Sequence, residues 1–225
     1  MKSAACSALF DMDGTLVDSA PDIAAAINEA LSTVDLGPLA VGQITPMLGA
    51  GAHAAVERAL AACGVPPSRE LTEQVHTAYI AAYEATPCVH TRLYPGCRAA
   101  LERLHGEGWS LGVVTNKPHG IALAVMDAVG LTPLFPVIVG AQDGMGLKPA
   151  PDMLRAAMTT LQRPSHTVFI GDSMADVGAA RAAGLPVILL SHGYTAIPAR
   201  ELGADAVIDH FDELNGAILA LNIAT

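Results

Sequence analysis

Three acids follow an apolar, strand-like run in the segment ALFDMDGTLVDSAPD at residues 8–22. Asp11, Asp13 and Asp18 lie within eight residues of one another. Carboxylates crowded at the end of a strand repel one another unless a positive charge is held among them. A divalent cation is the simplest partner, because carboxylate oxygens are ligands that Mg²⁺ and Ca²⁺ prefer. The segment therefore predicts a cation site.

Short apolar runs alternate with amphipathic, helix-length segments over most of the chain. This alternation indicates crossover units and a parallel sheet covered on both faces. We therefore predict an α/β fold with a doubly wound, Rossmann-like core. The predicted strands are CSALF at 6–10, SLGVV at 110–114, PVIVG at 136–140, TVFIG at 167–171, PVILL at 186–190 and DAVI at 205–208. The predicted core helices span 96–107, 119–129, 151–161, 174–183 and 211–221.

The region that follows the first strand breaks this alternation. It contains Ala-rich helical patterns at 21–34, 45–63 and 70–86 and has no convincing strand. A block of helices this long exceeds a crossover connection, so we predict an inserted helical domain. The expected boundaries are 17–91 for the insert, with 1–16 and 92–225 forming the core.

Polar residues follow four strand ends of the predicted sheet. They are Asp11, Asp13 and Thr15; Thr115, Asn116 and Lys117; Lys148; and Asp172, Ser173 and Asp176. Ligands of open α/β sheets bind at the carboxyl ends of the strands, so these side chains are expected to share one site. Several carboxylates beside a lysine and a threonine suit a divalent cation together with a phosphate group.

The composition excludes several other classes of partner. The chain of 225 residues has 12 Lys and Arg against 22 Asp and Glu, a net charge of −10, which argues against nucleic acid and anionic membrane surfaces. No apolar run approaches the roughly 20 residues of a membrane-spanning helix. The start of the chain does not resemble a signal peptide, and the four cysteines lack metal-site spacing. We expect a cytoplasmic protein that is a monomer or a homodimer.

The segments DMDGTLVDS, VVTNK, KPAPD and GDSMADVGAARAAG resemble, in order and spacing, the four motifs of haloacid dehalogenase superfamily phosphatases. The likeness covers essentially the whole chain, and the inserted helices resemble the helical cap of that family. The segments DSAPDI, LYPG and LGVVTNKP are most similar to those of phosphoglycolate phosphatases. The resemblance implies a phosphomonoesterase that acts on a small phosphorylated metabolite, with 2-phosphoglycolate as the expected substrate.

The resemblance also implies roles for the acids. Asp11 would be the nucleophile that forms an aspartyl-phosphate, and Asp13 would protonate the leaving group and then activate water. Mg²⁺ would be held by Asp11, by the backbone carbonyl of Asp13 and by Asp172. Asp176 would be either a further metal ligand or a residue that supports the ligands. Dehalogenases lack the acid at the position of Asp13, so phosphoryl chemistry is favoured.

The remaining site residues would bind the substrate. Thr115 and Asn116 would bind phosphate oxygens, and Lys148 would neutralise the charge of the nucleophile and the phosphoryl group. The loop of Gly49, Ala50 and Gly51 is a possible specificity site, where backbone N–H groups could meet a substrate carboxylate. We expect Lys117 to face solvent or the cap rather than the phosphate.

Other functions remain open at this point. A sugar-phosphate phosphatase or a β-phosphoglucomutase-like mutase would share the same core motifs, because substrate choice depends on cap loops. A non-enzymatic alternative is a receiver-like signalling module, which also places acids, a threonine and a lysine around a phosphorylated aspartate. The helical insert and the acid at Asp13 argue against a receiver.

Overall fold

The computed structural model describes residues 6–162 and 164–222, and its core is the predicted doubly wound α/β fold. The strands are β1 Cys6–Phe10, β2 Val17–Asp18, β3 Arg92–Leu93, β4 Ser110–Pro118, β5 Val137–Ala141, β6 His166–Gly171, β7 Val187–Leu190 and β8 Ala206–Ile208. Six of them form one sheet in the order β5-β4-β1-β6-β7-β8, in which every neighbouring pair is parallel.

The strands of this sheet are buried on both faces. In β1, Ala8 and Phe10 belong to one hydrophobic cluster, whereas Leu9 belongs to the cluster on the other face. Val168 and Phe169 of β6 divide in the same way. This explains why the strands are continuous apolar runs rather than runs that alternate apolar and polar residues.

No helix in the described ranges is both long enough and apolar enough to cross a bilayer.

Nine helices are assigned within the described residues. They are α1 Ala20–Ser32, α2 Val41–Ile44, α3 Ala52–Ala62, α4 Arg69–Ala85, α5 Cys97–Gly106, α6 His119–Ala128, α7 Asp152–Thr160, α8 Met174–Ala183 and α9 Leu214–Ala220. Helices α1–α4 lie between β2 and β3 and are called the cap below. The cap has its own apolar contacts, chiefly between α1 and α4 and between α3 and α4.

Three of the predicted elements differ from the structure. The helix predicted over 211–221 begins instead as a 3-10 turn, Phe211–Glu213, and α9 covers only Leu214–Ala220. The single helix predicted over 45–63 is wrong: a 3-10 turn, Thr45–Met47, follows α2, and α3 begins only at Ala52. Gly49 and Gly51 between them both have φ of 94°, a conformation that interrupts a helix. The strand predicted over 110–114 continues instead to Pro118, with an irregular register beyond Val114.

The chain enters and leaves the cap through two adjacent strands. The antiparallel pair β2–β3 joins Val17 to Leu93 and Asp18 to Arg92. Just inside the cap, the buried carboxylate of Asp22 on α1 accepts hydrogen bonds from the backbone N–H groups of residues 89–91 and from the Thr91 hydroxyl, at 2.6–3.0 Å. One side chain therefore fastens the returning segment to the first cap helix.

These hydrogen bonds also set the protonation of Asp22. Burial alone would raise the pKa of this carboxyl, but the hydrogen bonds from the Thr91 side chain and from the backbone of residues 89–91 outweigh it and lower the pKa. A lowered pKa means that the carboxylate stabilises the fold above the unfolded-state pKa near 4, and that this contribution is lost as the pH falls through the lower native value.

We expect Asp22→Asn to lower the free energy of unfolding by about 2 kcal/mol at pH 7, because hydrogen bonds to a charged acceptor are replaced by weaker ones. Urea unfolding of both proteins measures this difference, which should shrink below pH 4 as Asp22 of the parent protein takes up its proton. Glu29→Gln, an exposed acid on the same helix, is the control. A difference that stays constant down to pH 3 would contradict the assignment.

Candidate active site

The centre of the site is a buried lysine between two buried carboxylates. Lys148 Nζ lies 2.8 Å from Asp11 Oδ1 and 2.7 Å from Asp176 Oδ1. Asp11 directly follows β1, and Asp176 lies in the first turn of α8, after β6. Burial alone would lower the pKa of Lys148, but the two carboxylates outweigh it and raise that pKa. The ammonium group therefore stays charged and holds two strand ends together.

Asp172, the first residue after β6, is fixed on both of its oxygens. The Thr15 hydroxyl donates to Oδ1 and the Tyr194 N–H donates to Oδ2, each at 2.9 Å. Gly14 has φ of 82°, and a Cβ at this position would lie 2.6 Å from Asp172 Oδ2. Only glycine allows the turn after β1 to pass this close to the carboxylate.

Both carboxylate oxygens of Asp176 accept hydrogen bonds from other groups of the protein. Its Oδ1 accepts from Lys148, and its Oδ2 accepts from the Ser173 hydroxyl at 2.6 Å and from the N–H groups of Ser173 and Asp172 at 3.0 and 3.2 Å. Negative charge at the start of α8 is favourable because it faces the unpaired N–H groups of the helix. These contacts give Asp176 a positioning role for Lys148.

The site holds more negative than positive charge. One carboxylate oxygen from each of Asp11, Asp172 and Asp176 lies within 4.8 Å of the others, and one lysine contacts Asp11 and Asp176. Burial is the main cause that raises the pKa of Asp11 to about 7; Lys148 opposes it and the charge of Asp176 adds to it. Burial, with the charges of Asp176 and Asp11, also raises the pKa of Asp172. Both carboxyls are thus poorly stabilised as anions by protein groups alone.

This donor set fits a hard divalent cation. Asp11 Oδ1 is buried and makes no hydrogen bond of good geometry, although Lys148 Nζ is its ion-pair partner, so this oxygen retains capacity for a ligand. Oxygen donors without sulfur or imidazole are the ligands that Mg²⁺ prefers. Asp11 and Asp172 are the residues that fit the cation, whereas both oxygens of Asp176 are already in use.

Asp13 lies two residues beyond Asp11 and is held by a second lysine. Lys117 Nζ lies 2.9 Å from Oδ1 and 3.1 Å from Oδ2 of Asp13, and the Ser19 hydroxyl donates to Oδ1 at 2.5 Å. Lys117 was predicted to face solvent or the cap, and because it is buried the solvent alternative does not apply. It does face the cap, because its ammonium group also donates to the Tyr83 hydroxyl.

The two residues predicted to bind phosphate differ in their surroundings. Thr115 is buried, and its hydroxyl accepts from the Lys117 N–H at 3.2 Å. The Asn116 side chain accepts from the Lys148 N–H at 2.8 Å and donates to the carbonyl oxygens of Lys148 and Gly49 at 3.0 Å. Asn116 therefore positions the loop that carries Lys148 and ties that loop to the cap.

A partly open cavity lies between the core and the cap, and its empty space of about 470 Å³ includes open solvent. Its lining comprises Asp11, Asp13, Thr115, Asn116, Lys117 and Pro118 from the core, and Ile23, Leu48, Gly49, Gly51, Ala52, Ala55 and Tyr79 from the cap. Of the predicted specificity loop, Gly49 and Gly51 contribute to this lining and Ala50 does not. Polar groups thus occupy the core side of the cavity, and small or apolar residues occupy the cap side.

A second group of possible metal ligands lies on the cap surface. His53 of α3 is close to Glu73 and His76 of α4, but the two imidazole rings stack at 3.7 Å with only 12° between their planes. Their lone pairs lie in nearly parallel planes and do not converge on one point. The cation site predicted from the sequence is therefore the buried acidic group of the core.

The comparisons with known proteins agree with this geometry. The sequence model of haloacid dehalogenase-like hydrolases matches residues 8–190. A phosphoglycolate phosphatase of Cereibacter sphaeroides is 38% identical over 213 residues, which cover 95% of this chain and 97% of the relative. A phosphoglycolate phosphatase of Rhodospirillum rubrum is also 38% identical, over 92% of this chain and 88% of the relative.

Solved structures share the fold over nearly the full length. A predicted phosphoglycolate phosphatase from Haemophilus somnus superposes with a TM-score of 0.84 at 29% identity, covering 96% of this chain and 99% of the other. CbbY from Rhodobacter sphaeroides, in complex with phosphate, superposes with a TM-score of 0.77 at 26% identity, covering 92% and 95%. The chain therefore belongs to the haloacid dehalogenase-like hydrolases, and within them to the phosphatases.

Proposed function

We propose that this phosphatase is a Mg²⁺-dependent phosphomonoesterase that hydrolyses 2-phosphoglycolate through an aspartyl-phosphate on Asp11. The observation that carries the proposal is the pairing of Asp11, beside Lys148, with Asp13 on the rim of one cavity. The relatives named phosphoglycolate phosphatase, which align over most of this chain, support the choice of substrate.

In the first step, a carboxylate oxygen of Asp11 attacks phosphorus. The bond from phosphorus to the ester oxygen breaks, and the leaving oxygen takes its electron pair and a proton from the acid form of Asp13. Lys148, in contact with Asp11, offsets the negative charge that gathers between the nucleophile and the phosphoryl group. The products of this step are the free alcohol and phosphorylated Asp11.

In the second step, water attacks the phosphorus of the aspartyl-phosphate. Asp13, now a carboxylate, takes the proton of that water, and the bond from phosphorus to the Asp11 oxygen breaks. Inorganic phosphate leaves, and Asp11 returns as a carboxylate. The acid and the base are the same residue, so Asp13 must reach the leaving oxygen first and the water afterwards.

Asp11, Asp172 and the backbone carbonyl of Asp13 would hold the Mg²⁺ ion. When bound, this ion would offset the carboxylate charges and polarise a phosphoryl oxygen. Thr15 and the Tyr194 N–H orient Asp172 for this role. Asp176 would act through Lys148 rather than as a ligand, because both of its oxygens already accept hydrogen bonds.

The cap would select the substrate. Gly49 and Gly51 line the cavity immediately before α3. Because glycine has no side-chain heavy atom, neither residue shields its own backbone N–H group with a side chain. Their N–H groups, near the positive end of α3, suit a small carboxylate on the leaving group.

The proposed domain boundaries are 17–91 for the cap and 1–16 with 92–225 for the core. The proposed enzyme is cytoplasmic and is a monomer or a homodimer.

A sugar-phosphate phosphatase or a phosphomutase is the second candidate, because it would use the same core residues and differ in the cap residues that line the cavity. Release of inorganic phosphate from 2-phosphoglycolate, hexose phosphates and nucleotides distinguishes the candidates. We expect a strong preference for 2-phosphoglycolate. Preferred hydrolysis of a hexose phosphate would replace the substrate in the proposal, and phosphoryl exchange without net release would indicate a mutase.

Asp11→Asn should lower kcat by a thousandfold or more, about the loss seen when a covalent nucleophile is removed. The variant should stay folded, because the amide fits the same space, and circular dichroism with a thermal melt checks this. Asp127→Asn, which removes an exposed acid on α6, is the matched control and should keep full activity. Substantial activity of Asp11→Asn would remove Asp11 from its proposed role.

Mg²⁺ should raise the melting temperature of the protein freed of metal by EDTA, by about 5–10 °C at a hundredfold excess over its Kd. The pKa of Asp11 is raised to about 7 and that of Asp172 is also raised, so the metal-free fold loses stability as the pH rises above about 4 and these carboxyls lose their protons. The rise in melting temperature that Mg²⁺ causes should therefore be larger at pH 8 than at pH 5.5.

Asp172→Asn serves as the control for this measurement, and it should remove most of the shift caused by Mg²⁺. An equal shift in the variant would place the ion elsewhere. An absent shift in the parent protein at millimolar Mg²⁺ would contradict the metal dependence.

A further inference from the structure

We propose that Tyr83 and Lys117 are positioning residues that orient Asp13 for proton transfer, so that the cap takes part in catalysis through the Tyr83 hydroxyl. This inference rests on the proposed function, because it assumes that Asp13 is the acid and base. It adds two residues to the reaction: a core lysine that was expected to be peripheral and a cap tyrosine that the sequence did not single out.

Lys117 holds the carboxylate of Asp13 by both of its oxygens. The two Nζ distances of 2.9 and 3.1 Å are nearly equal, so the ammonium group lies across the edge of the carboxylate and fixes the plane of the side chain. The Lys117 side chain is 2% exposed and that of Asp13 is 15% exposed. A pair this poorly hydrated is attracted more strongly than a surface pair.

Tyr83 in turn holds Lys117. Its hydroxyl accepts a hydrogen bond from Nζ, and the same Nζ lies 4.3 Å from the centre of its ring. Tyr83 is fully buried on α4 of the cap, so its ring has no freedom to follow a moving lysine. Burial, with the charge of Asp13 next, raises the pKa of Tyr83, and the hydroxyl stays neutral. The direction from which Lys117 approaches Asp13 is thus set by the cap.

Charge balance alone does not explain this arrangement. Lys148 already pairs with Asp11 and Asp176, and Asp13 is the one acid of the reaction that must change protonation twice per turnover. General acid–base catalysis requires hydrogen-bond distance and alignment to the reacting oxygen. In the acid form, one oxygen of Asp13 carries the proton and the other retains Lys117 and Ser19. After the proton has been transferred, Lys117 would hold both oxygens of the carboxylate and so orient it toward the attacking water.

The experiment separates positioning of the acid from other roles by varying the leaving group. Phenyl phosphate and p-nitrophenyl phosphate have similar shapes, but phenolate is the poorer leaving group and depends more on a proton from Asp13. Their kcat/KM values report the steps up to formation of the aspartyl-phosphate, with the Mg²⁺-loaded enzyme. Loss of the orientation of Asp13 should therefore affect phenyl phosphate more.

For Tyr83→Phe, which keeps the ring and removes the hydroxyl, we expect kcat/KM for phenyl phosphate to fall about tenfold and that for p-nitrophenyl phosphate to fall less than about twofold. Lys117→Met should give the same pattern with a loss of about a hundredfold for phenyl phosphate. The KM of both substrates should change little. Equal losses for both substrates, or losses confined to KM, would overturn the inference.

Tyr79→Phe is the matched comparison, because Tyr79 lies one turn earlier on α4 and loses the same group. Tyr79 lines the cavity, so its two kcat/KM values should move together and their ratio should stay unchanged. A changed ratio in this variant would overturn the assignment to Tyr83. If Lys117→Met does not fold, Tyr83→Phe decides the outcome alone.

Asp13→Asn distinguishes failure of this inference from failure of the proposed function. If Asp13→Asn loses phenyl phosphate hydrolysis selectively and Tyr83→Phe does not, Asp13 is the acid and the positioning role is wrong. If Asp13→Asn affects both substrates equally, Asp13 is not the acid in the first step, and the proposed mechanism itself fails.

Discussion

A buried ammonium group between two buried carboxylates is the interaction on which the site depends. Lys148 can remain charged in the interior only because Asp11 and Asp176 are in contact with it. This requirement links the end of β1, the loop before α7 and the start of α8. Asn116 completes the link, since it holds the backbone of Lys148 by its N–H and its carbonyl. The geometry of the candidate site is therefore set by the need to neutralise one buried lysine.

The acids of the site are only partly neutralised, and under the proposed function the remaining negative charge would be offset by Mg²⁺. Asp172 adds a further buried carboxylate that protein N–H and O–H donors hold in place without cancelling its charge. The raised pKa of Asp11 and Asp172 expresses the same imbalance as a cost to the metal-free fold. A site prepared for a cation and a phosphate has to be built in this way, because a fully compensated group of acids would gain little from binding either one.

The sequence predicted which strand-end residues share the site, but it did not predict the hydrogen-bond partners of those residues. Asp11, Asp172 and Lys148 were predicted to share a site because parallel strands end at one edge of a sheet, and the structure brings them together. The break in the helix predicted over 45–63 follows from the positive φ of Gly49 and Gly51, which the sequence permits but does not require. The role of Asn116 could not be read from its neighbours, because its partners are 32 and 67 residues away. The position of Lys117 could have been predicted from its spacing. It lies two residues beyond Thr115 on β4, so both side chains face the same side of the strand.

Among the hydrogen bonds between the cap and the candidate site, two lead to different acids. The Gly49 carbonyl accepts from Asn116, which holds Lys148 beside Asp11. The Tyr83 hydroxyl accepts from Lys117, which holds Asp13. Because Gly49 precedes α3 and Tyr83 lies on α4, displacement of the cap from the core would break both bonds. Under the proposed mechanism, a cap connected in this way would couple enclosure of the substrate to the arrangement of Asp11 and Asp13, so that the unit which selects the leaving group would also orient the groups that cleave it.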